Sequence, residues 1–217
     1  MKPSKSSKAW LRRQESDPYV KQAKSEGYRS RAAFKLLEIN ERDRLFTPGM
    51  TVVDLGAAPG GWSQVAAEKV GARGQVLALD LLDMQAIRGV TFIRGDLADP
   101  KVVAELRQLL RDRAVDLVLS DMVPNISGIG HADSARSAEL AEVALGVASR
   151  ILKPNGCLLV KLFEGADSRD FRDSLTACFK DTVTRKPKAS RGESREIYLL
   201  AKGYSGYSGY ATDTVLE

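Results

Sequence analysis

Histidine occurs once and cysteine twice in the 217 residues, and aromatic residues make up only 6% of the chain. Chemistry organised by clustered imidazoles or thiolates is thereby excluded. Cys157 and Cys178 lie in apolar surroundings with neither C-x-x-C nor Cys/His spacing, so they read as buried reduced thiols rather than a disulfide or metal ligands. The lone His131, in the loop I-S-G-I-G-H-A-D, reads as a solvated imidazole. Long apolar runs are missing too. The longest, such as C-L-L-V before Lys161, fall far short of the roughly 20 residues that span a bilayer, so no membrane partner is expected. The basic start M-K-P-S-K-S-S-K lacks the apolar core of a secretory signal, and the expectation is a cytoplasmic protein.

What is present is a charge pattern. Residues 1–35 carry ten Lys/Arg against three Asp/Glu, residues 36–184 seventeen against twenty-one, and residues 185–202 six against two. The flanks are basic and the middle is not, which suits a polyanion gripped from both ends of the chain. Arg29, Arg31, Arg185, Lys186, Lys188, Arg191 and Arg195 are the candidate contacts to the phosphates of such a polyanion.

Hydrophobic periodicity alternates between strand-like and helix-like. Strands are expected at Thr51–Leu55, Gln75–Asp80, Thr91–Arg94, Asp116–Ser120, Cys157–Phe163, Asp181–Arg185 and Glu196–Ala201. Helices are expected over Gly61–Val70, briefly near Asp83–Ile87, and over Lys101–Leu110, Ser134–Leu152 and Ser168–Phe179, with basic helices Asp17–Ala23 and Ser30–Asn40 ahead of them. This is an α/β domain with a seven-stranded, mostly parallel sheet covered on both faces; the last two strands, with no helix between them, should be antiparallel neighbours. A single domain over 17–202 is expected, preceded by a basic flexible tail over 1–16 and followed over 203–217 by a low-complexity tail containing G-Y-S-G-Y-S-G-Y.

In such sheets ligands bind at the carboxyl ends of the strands. Asp54, Asp80, Asp96 and Asp121 all fall at those ends. The first strand runs into D-L-G-A-A-P-G-G-W-S-Q, a glycine turn without the G-K-[ST] ending of a phosphate loop. Ala58 replaces the second glycine of G-x-G-x-x-G, which disfavours a dinucleotide. Gly56, Gly60 and Gly61 still bring bare backbone to a ligand, and Asp80 stands where a carboxylate takes a ribose diol. A nucleoside without phosphates, such as S-adenosylmethionine, fits: its amino acid end along the turn, its ribose on Asp80 and its adenine near Asp96. Trp62 reads equally well as a ligand neighbour or a core tryptophan.

The stretches R-S-R-A-A-F-K-L, D-L-G-A-A-P-G-G-W-S-Q, S-D-M-V-P-N-I-S-G, V-K-L-F and S-R-E-I-Y together closely resemble those of the FtsJ-type ribosomal RNA 2′-O-methyltransferases, in their bacterial large-subunit branch. The likeness extends from about Trp10 to Lys202. It implies a Rossmann-like methyltransferase fold, S-adenosylmethionine as cofactor, and methylation of a uridine 2′-hydroxyl in the A-loop of large-subunit (23S) ribosomal RNA on the assembled 50S subunit, by a monomer. It also implies catalytic roles for Lys35, Asp121, Lys161 and Glu196, and cofactor contacts from Gly60, Trp62, Asp80, Asp96 and Asp121. Val123 departs from the alanine expected in D-M-A-P-N, and the Tyr/Ser/Gly tail is extra. A sulfonium already supplies an activated methyl, so the protein's tasks are to position the ribose hydroxyl and manage its proton. Lys161 then has two candidate roles, proton acceptor or charged stabiliser of the forming alkoxide, with Asp121 orienting it and Lys35 and Glu196 fixing the geometry. The loop after Asp121 carries Gly128 and Gly130, which permit it to close over the site.

Overall fold

The computed structural model describes residues 16–111 and 113–206. The tails expected over 1–16 and from 203 onward fall largely outside them. Helix α1 (Pro18–Glu26) starts where the Asp17 carboxylate accepts the Tyr19 N–H at 3.0 Å, with Pro18 at a position that needs no donor, and stops at Gly27 with φ 79°. Helix α2 (Ala32–Asp43) buries Ala33, Leu36 and Ile39 on one stripe, and Lys35 rides at its edge.

The sheet alternates with helices: β1 (Thr51–Leu55), α3 (Gly61–Val70), β2 (Gln75–Asp80), β3 (Val90–Arg94), α4 (Pro100–Leu110), β4 (Val115–Ser120), α5 (Gly130–Ile151), β5 (Leu152–Phe163), α6 (Ser168–Cys178), β6 (Phe179–Arg185) and β7 (Glu196–Tyr204). The strands form one sheet in the order β3-β2-β1-β4-β5-β7-β6. All run parallel except β7, antiparallel to both its neighbours. Strand order reverses between β1 and β4, which opens a crevice at their carboxyl ends.

Two-residue alternation sends the side chains to two faces. Val53, Leu77, Val118, Leu158, Val160 and Leu199 pack under α4, α5 and α6. Val52, Val76, Leu119, Leu159, Tyr198 and Leu200 pack under α2 and α3. Each fully buried Leu or Val contributes roughly 1.5–3 kcal/mol. Asp121 and Lys161 come two residues after Leu119 and Leu159, and so share the α2 and α3 face.

Several bounds and one helix differ from the periodicity reading. The helix expected near Asp83–Ile87 is absent, because Met84 and Ile87 turn back onto the glycine turn and Asp83 caps the Met84 N–H at 3.0 Å. Helix α5 begins at Gly130 rather than Ser134, which takes His131 out of the loop and into its first turn. Strand β5 begins at Leu152, with K-P-N-G as a bulge between the pairings Val115 with Leu152 and Leu117 with Cys157, and with Asn155 at φ 64°. Strand β7 also continues beyond Ala201 to Tyr204, whose ring packs 5.3 Å from Phe179. Cys178 is buried and Cys157 half-buried, both as free thiols. Among the described residues no helix is long and apolar enough to cross a membrane.

Candidate active site

Backbone turns build the first half of the site. Beyond β1 the chain passes Gly56 at φ 71° and Gly60 at φ 108°, values that favour glycine. A Cβ at Gly56 would lie 2.5 Å from Met122 Cγ, so the turn can approach the segment after β4 only without a side chain. The Asp80 carboxylate accepts the Ala58 N–H and the Leu82 N–H, each at 2.8 Å, and thus ties the turn to the segment after β2 while keeping lone pairs for a ligand. Asp96 lies exposed after β3, with one oxygen accepting the Ala98 N–H at 2.9 Å. Trp62 is core: its indole N–H donates to the Ala32 carbonyl at 2.8 Å and its ring lies 5.6 Å from Tyr198. At the second position of α3, what residue 62 offers the crevice is backbone.

Asp54 is fully buried. One oxygen accepts the Ser63 hydroxyl at 2.6 Å and the other has no partner. Burial pushes its carboxyl up, the Ser63 bond opposes the rise, and the charges of Asp121 and Asp80 add to it, for a value of about 7. The Asp54 carboxyl thus combines one unpartnered buried oxygen with two carboxylates, Asp121 and Asp80, in electrostatic reach.

The second half consists of two lysine–carboxylate pairs, buried except for a half-buried Asp121. Lys161, 5% exposed on β5, donates to the Asp121 carboxylate at 2.9 Å and to the Asp121 carbonyl at 3.0 Å. Lys35, from α2, pairs with Glu196 of β7 at 2.6 Å. Tyr198 joins them: its hydroxyl donates to Asp121 at 2.9 Å, and the Lys35 ammonium sits 5.7 Å from its ring centre. Burial works against the Asp121 carboxylate, but the cations of Lys161 and Lys35, with the hydrogen bonds from Lys161 and Tyr198, outweigh it and hold the carboxyl below its ordinary value. Burial and the same carboxylate push Tyr198 well above the ordinary phenol value. The sheet register explains the assembly, for Lys161 pairs with Tyr198 and Phe163 with Glu196 across β5 and β7. All four catalytic candidates therefore meet. Tyr198 carried a signal that charge reading passed over: it stands two residues after Glu196, on the same strand face.

The basic residues divide. Arg29 donates to the carbonyls of Pro59, Gln85 and Ala86; Arg31 to Asp17 and the Ala189 carbonyl; and Arg185 grips Asp43 with Nε at 2.7 Å and Nη2 at 2.6 Å. These three are committed largely to the protein itself. Lys186, Lys188, Arg191 and Arg195 are exposed along the connection from β6 to β7, although Lys186 donates to the Ser194 and Glu196 carbonyls and Arg195 to the Gly130 carbonyl. The loop after Asp121 is anchored by Asp133, a residue the sequence did not single out, which accepts from the Ser127 N–H and hydroxyl at 2.7 Å and from the Gly128 N–H at 3.0 Å. These bonds, from Ser127 first, hold the Asp133 carboxyl below its ordinary value.

The FtsJ-like methyltransferase family model matches residues 28–204. A protein of Nitrosospira multiformis named ribosomal RNA large subunit methyltransferase E is 57% identical over 203 residues, covering 94% of this chain and 98% of its own. One of the same name from Alcanivorax borkumensis is 53% identical over 200 residues, covering 92% and 96%. A solved structure from Plasmodium falciparum, described as a ribosomal RNA methyltransferase, superposes with a TM-score of 0.76 at 29% identity, over 82% of this chain and 100% of that one. With this fold, this glycine turn and these matches, the chain belongs to the FtsJ-like methyltransferase family.

Proposed function

We propose that the protein transfers a methyl group from S-adenosylmethionine to the 2′-hydroxyl of a uridine ribose in the A-loop of large-subunit (23S) ribosomal RNA, acting as a cytoplasmic monomer on the assembled 50S subunit. The observation that carries this reading is the pair of lysine–carboxylate couples, Lys161 with Asp121 and Lys35 with Glu196, set beside a glycine turn that follows Asp54 and is tied to Asp80. The names of the relatives supply the large-subunit RNA.

The residues present suit the cofactor. Asp54 has an unpartnered buried oxygen for a cationic neighbourhood, Asp80 retains lone pairs for a ribose diol, and exposed Leu81 and Leu82 beside it offer apolar surface to a base. Backbone at Gly56, Gly60 and Trp62 and the carboxylates of Asp96 and Asp121 would complete the hold. When bound, the sulfonium supplies a methyl group ready for transfer. The chain's own residues then act on the acceptor. Two hydrogens of Lys161 are directed at Asp121, which leaves the third for the ribose oxygen. As that oxygen takes the methyl and the sulfonium becomes a neutral thioether, the hydroxyl proton passes to solvent water, and the charged Lys161 and Lys35 stabilise the negative charge developing on the oxygen. Asp121, held ionised, fixes Lys161; Glu196 fixes Lys35. Lys186, Lys188, Arg191 and Arg195 would meet phosphates around the site.

The test uses methyl-labelled cofactor with 50S subunits, 30S subunits or naked RNA from cells lacking the modification. Label in an alkali-resistant dinucleotide from 50S subunits is the expected result, and Lys161→Ala should reduce it by roughly 10²-fold or more with folding and cofactor binding intact. Near-normal transfer by that variant refutes the role of Lys161; label in no RNA refutes the reading and leaves a noncatalytic RNA-binding assembly factor.

A further inference from the structure

We propose that Arg29 is a positioning residue of the methyl-donor site rather than an RNA contact, an inference that rests on the proposed use of S-adenosylmethionine. Its guanidinium lies against the protein's own backbone. Nη1 donates to the Pro59 carbonyl at 3.2 Å and the Gln85 carbonyl at 2.6 Å, and Nη2 donates to the Ala86 carbonyl at 2.8 Å. Pro59 belongs to the glycine turn. Gln85 and Ala86 belong to the segment after β2, which starts at Asp80 and carries no helix or strand of its own before β3. One planar fork therefore fastens together the two stretches of backbone between which the donor would lie.

The same point is reached from the other side. A Cβ at Gly60 would lie 2.5 Å from Ile87 Cδ1, 2.9 Å from Met84 Sδ and 3.3 Å from Arg29 Nη1, so three side chains converge on that glycine. Met84 and Ile87 hold the segment by apolar contact with Ala57 and Ala78, and Arg29 holds it by its carbonyls. Arg29 is itself held, its N–H donating to Gln64 Oε1 at 2.8 Å while Gln64 Nε2 donates to the Gly27 carbonyl at 3.0 Å. The linker from α1 to α2 is in this way sewn to α3. Three hydrogens of the fork are committed to carbonyls, and the rigid arrangement that lets one guanidinium reach three acceptors is what a lysine lacks. Without it, Gln85 and Ala86 lose their polar link to the turn, the segment being held there by Met84 and Ile87 and by Asp80 only at Leu82, and the donor's nucleoside end meets a site that must first be ordered.

Titration calorimetry with S-adenosylhomocysteine, together with filter binding of a large-subunit RNA fragment over a salt series, tests this on the full chain, its R29K variant and its R29M variant. R29M should weaken S-adenosylhomocysteine binding about tenfold or more and R29K by less, with RNA affinity and its salt slope equal to those of the unaltered protein. In turnover the loss should appear in the cofactor KM and not in the RNA KM. Unchanged cofactor affinity in both variants, or a fall confined to RNA affinity and salt slope, overturns the assignment. If R29M does not fold, R29K decides: cofactor affinity equal to the unaltered protein's counts against the proposal. Failure of the unaltered protein to bind S-adenosylhomocysteine would instead bring down the donor site itself.

Discussion

Raising the pH through neutrality should strengthen cofactor binding, because Asp54 holds its proton up to about 7 in the cofactor-free protein. On the proposed site, the ionised form is the one that would attract a cationic donor lying near Asp54, Asp80 and Asp121. With a midpoint of 7 the ionised fraction is about one in eleven at pH 6 and ten in eleven at pH 8, so affinity should rise by up to about tenfold between them, or about 1.4 kcal/mol. Calorimetry in buffers of different ionisation heats would report both the affinity and the proton released. Asp54→Asn keeps the shape and removes the titration, so the difference between its profile and that of the unaltered protein isolates Asp54 from any titration of the ligand. Equal slopes in the two proteins would refute the reasoning. The same carboxyl acts oppositely on the cofactor-free fold. Unfolded, it ionises near 4; folded, near 7, so between these values the folded state holds the extra proton. The stability this confers is complete below about 4 and lost as pH rises through about 7, and Asp54→Asn should flatten that decline in denaturant titrations.

Removing one member of the buried Lys35–Glu196 pair strands the other: Glu196→Gln or Lys35→Met should each cost about 3 kcal/mol, and the double variant at least about 1 kcal/mol less than their sum. Additive losses in urea unfolding would mean the two groups do not act as a pair. Asp133→Ala should release the loop after Asp121, seen as faster hydrogen exchange at the Ser127 and Gly128 amides with the core amides unaffected; unchanged exchange there contradicts its anchoring role. Replacing Lys188, Arg191 and Arg195 together by Ala should weaken RNA binding and lower its salt slope by up to about three, whereas Arg185→Ala should act mainly on stability through Asp43; identical salt slopes before and after the triple change would exclude a phosphate role.

Much of the fold was legible because period and spacing are local. The first two strands end where alternation puts them, and the four aspartates at strand ends locate the crevice. The catalytic candidates were legible through their motifs, but their meeting depends on register: Lys161 faces Tyr198 only because β7 enters antiparallel beside β5. Charge counting said least about where each side chain is held. Arg185 and Asp43 are 142 residues apart, so nothing near either one signals that the arginine is taken up by a carboxylate. The segment 83–87 illustrates a tertiary override, where contacts with Gly60 and Arg29 outweigh a short helical tendency.

The place of β7 bears on biosynthesis. It is the latest strand in the chain among those described, yet it sits inside the sheet, between β5 and β6, and carries Glu196 and Tyr198. Until it is synthesised, β5 lacks its antiparallel neighbour and β6 the strand it pairs with. Until then Lys35 lacks its carboxylate and Asp121 its phenol. Translation must therefore reach this strand before the Lys35–Glu196 and Asp121–Tyr198 contacts can form.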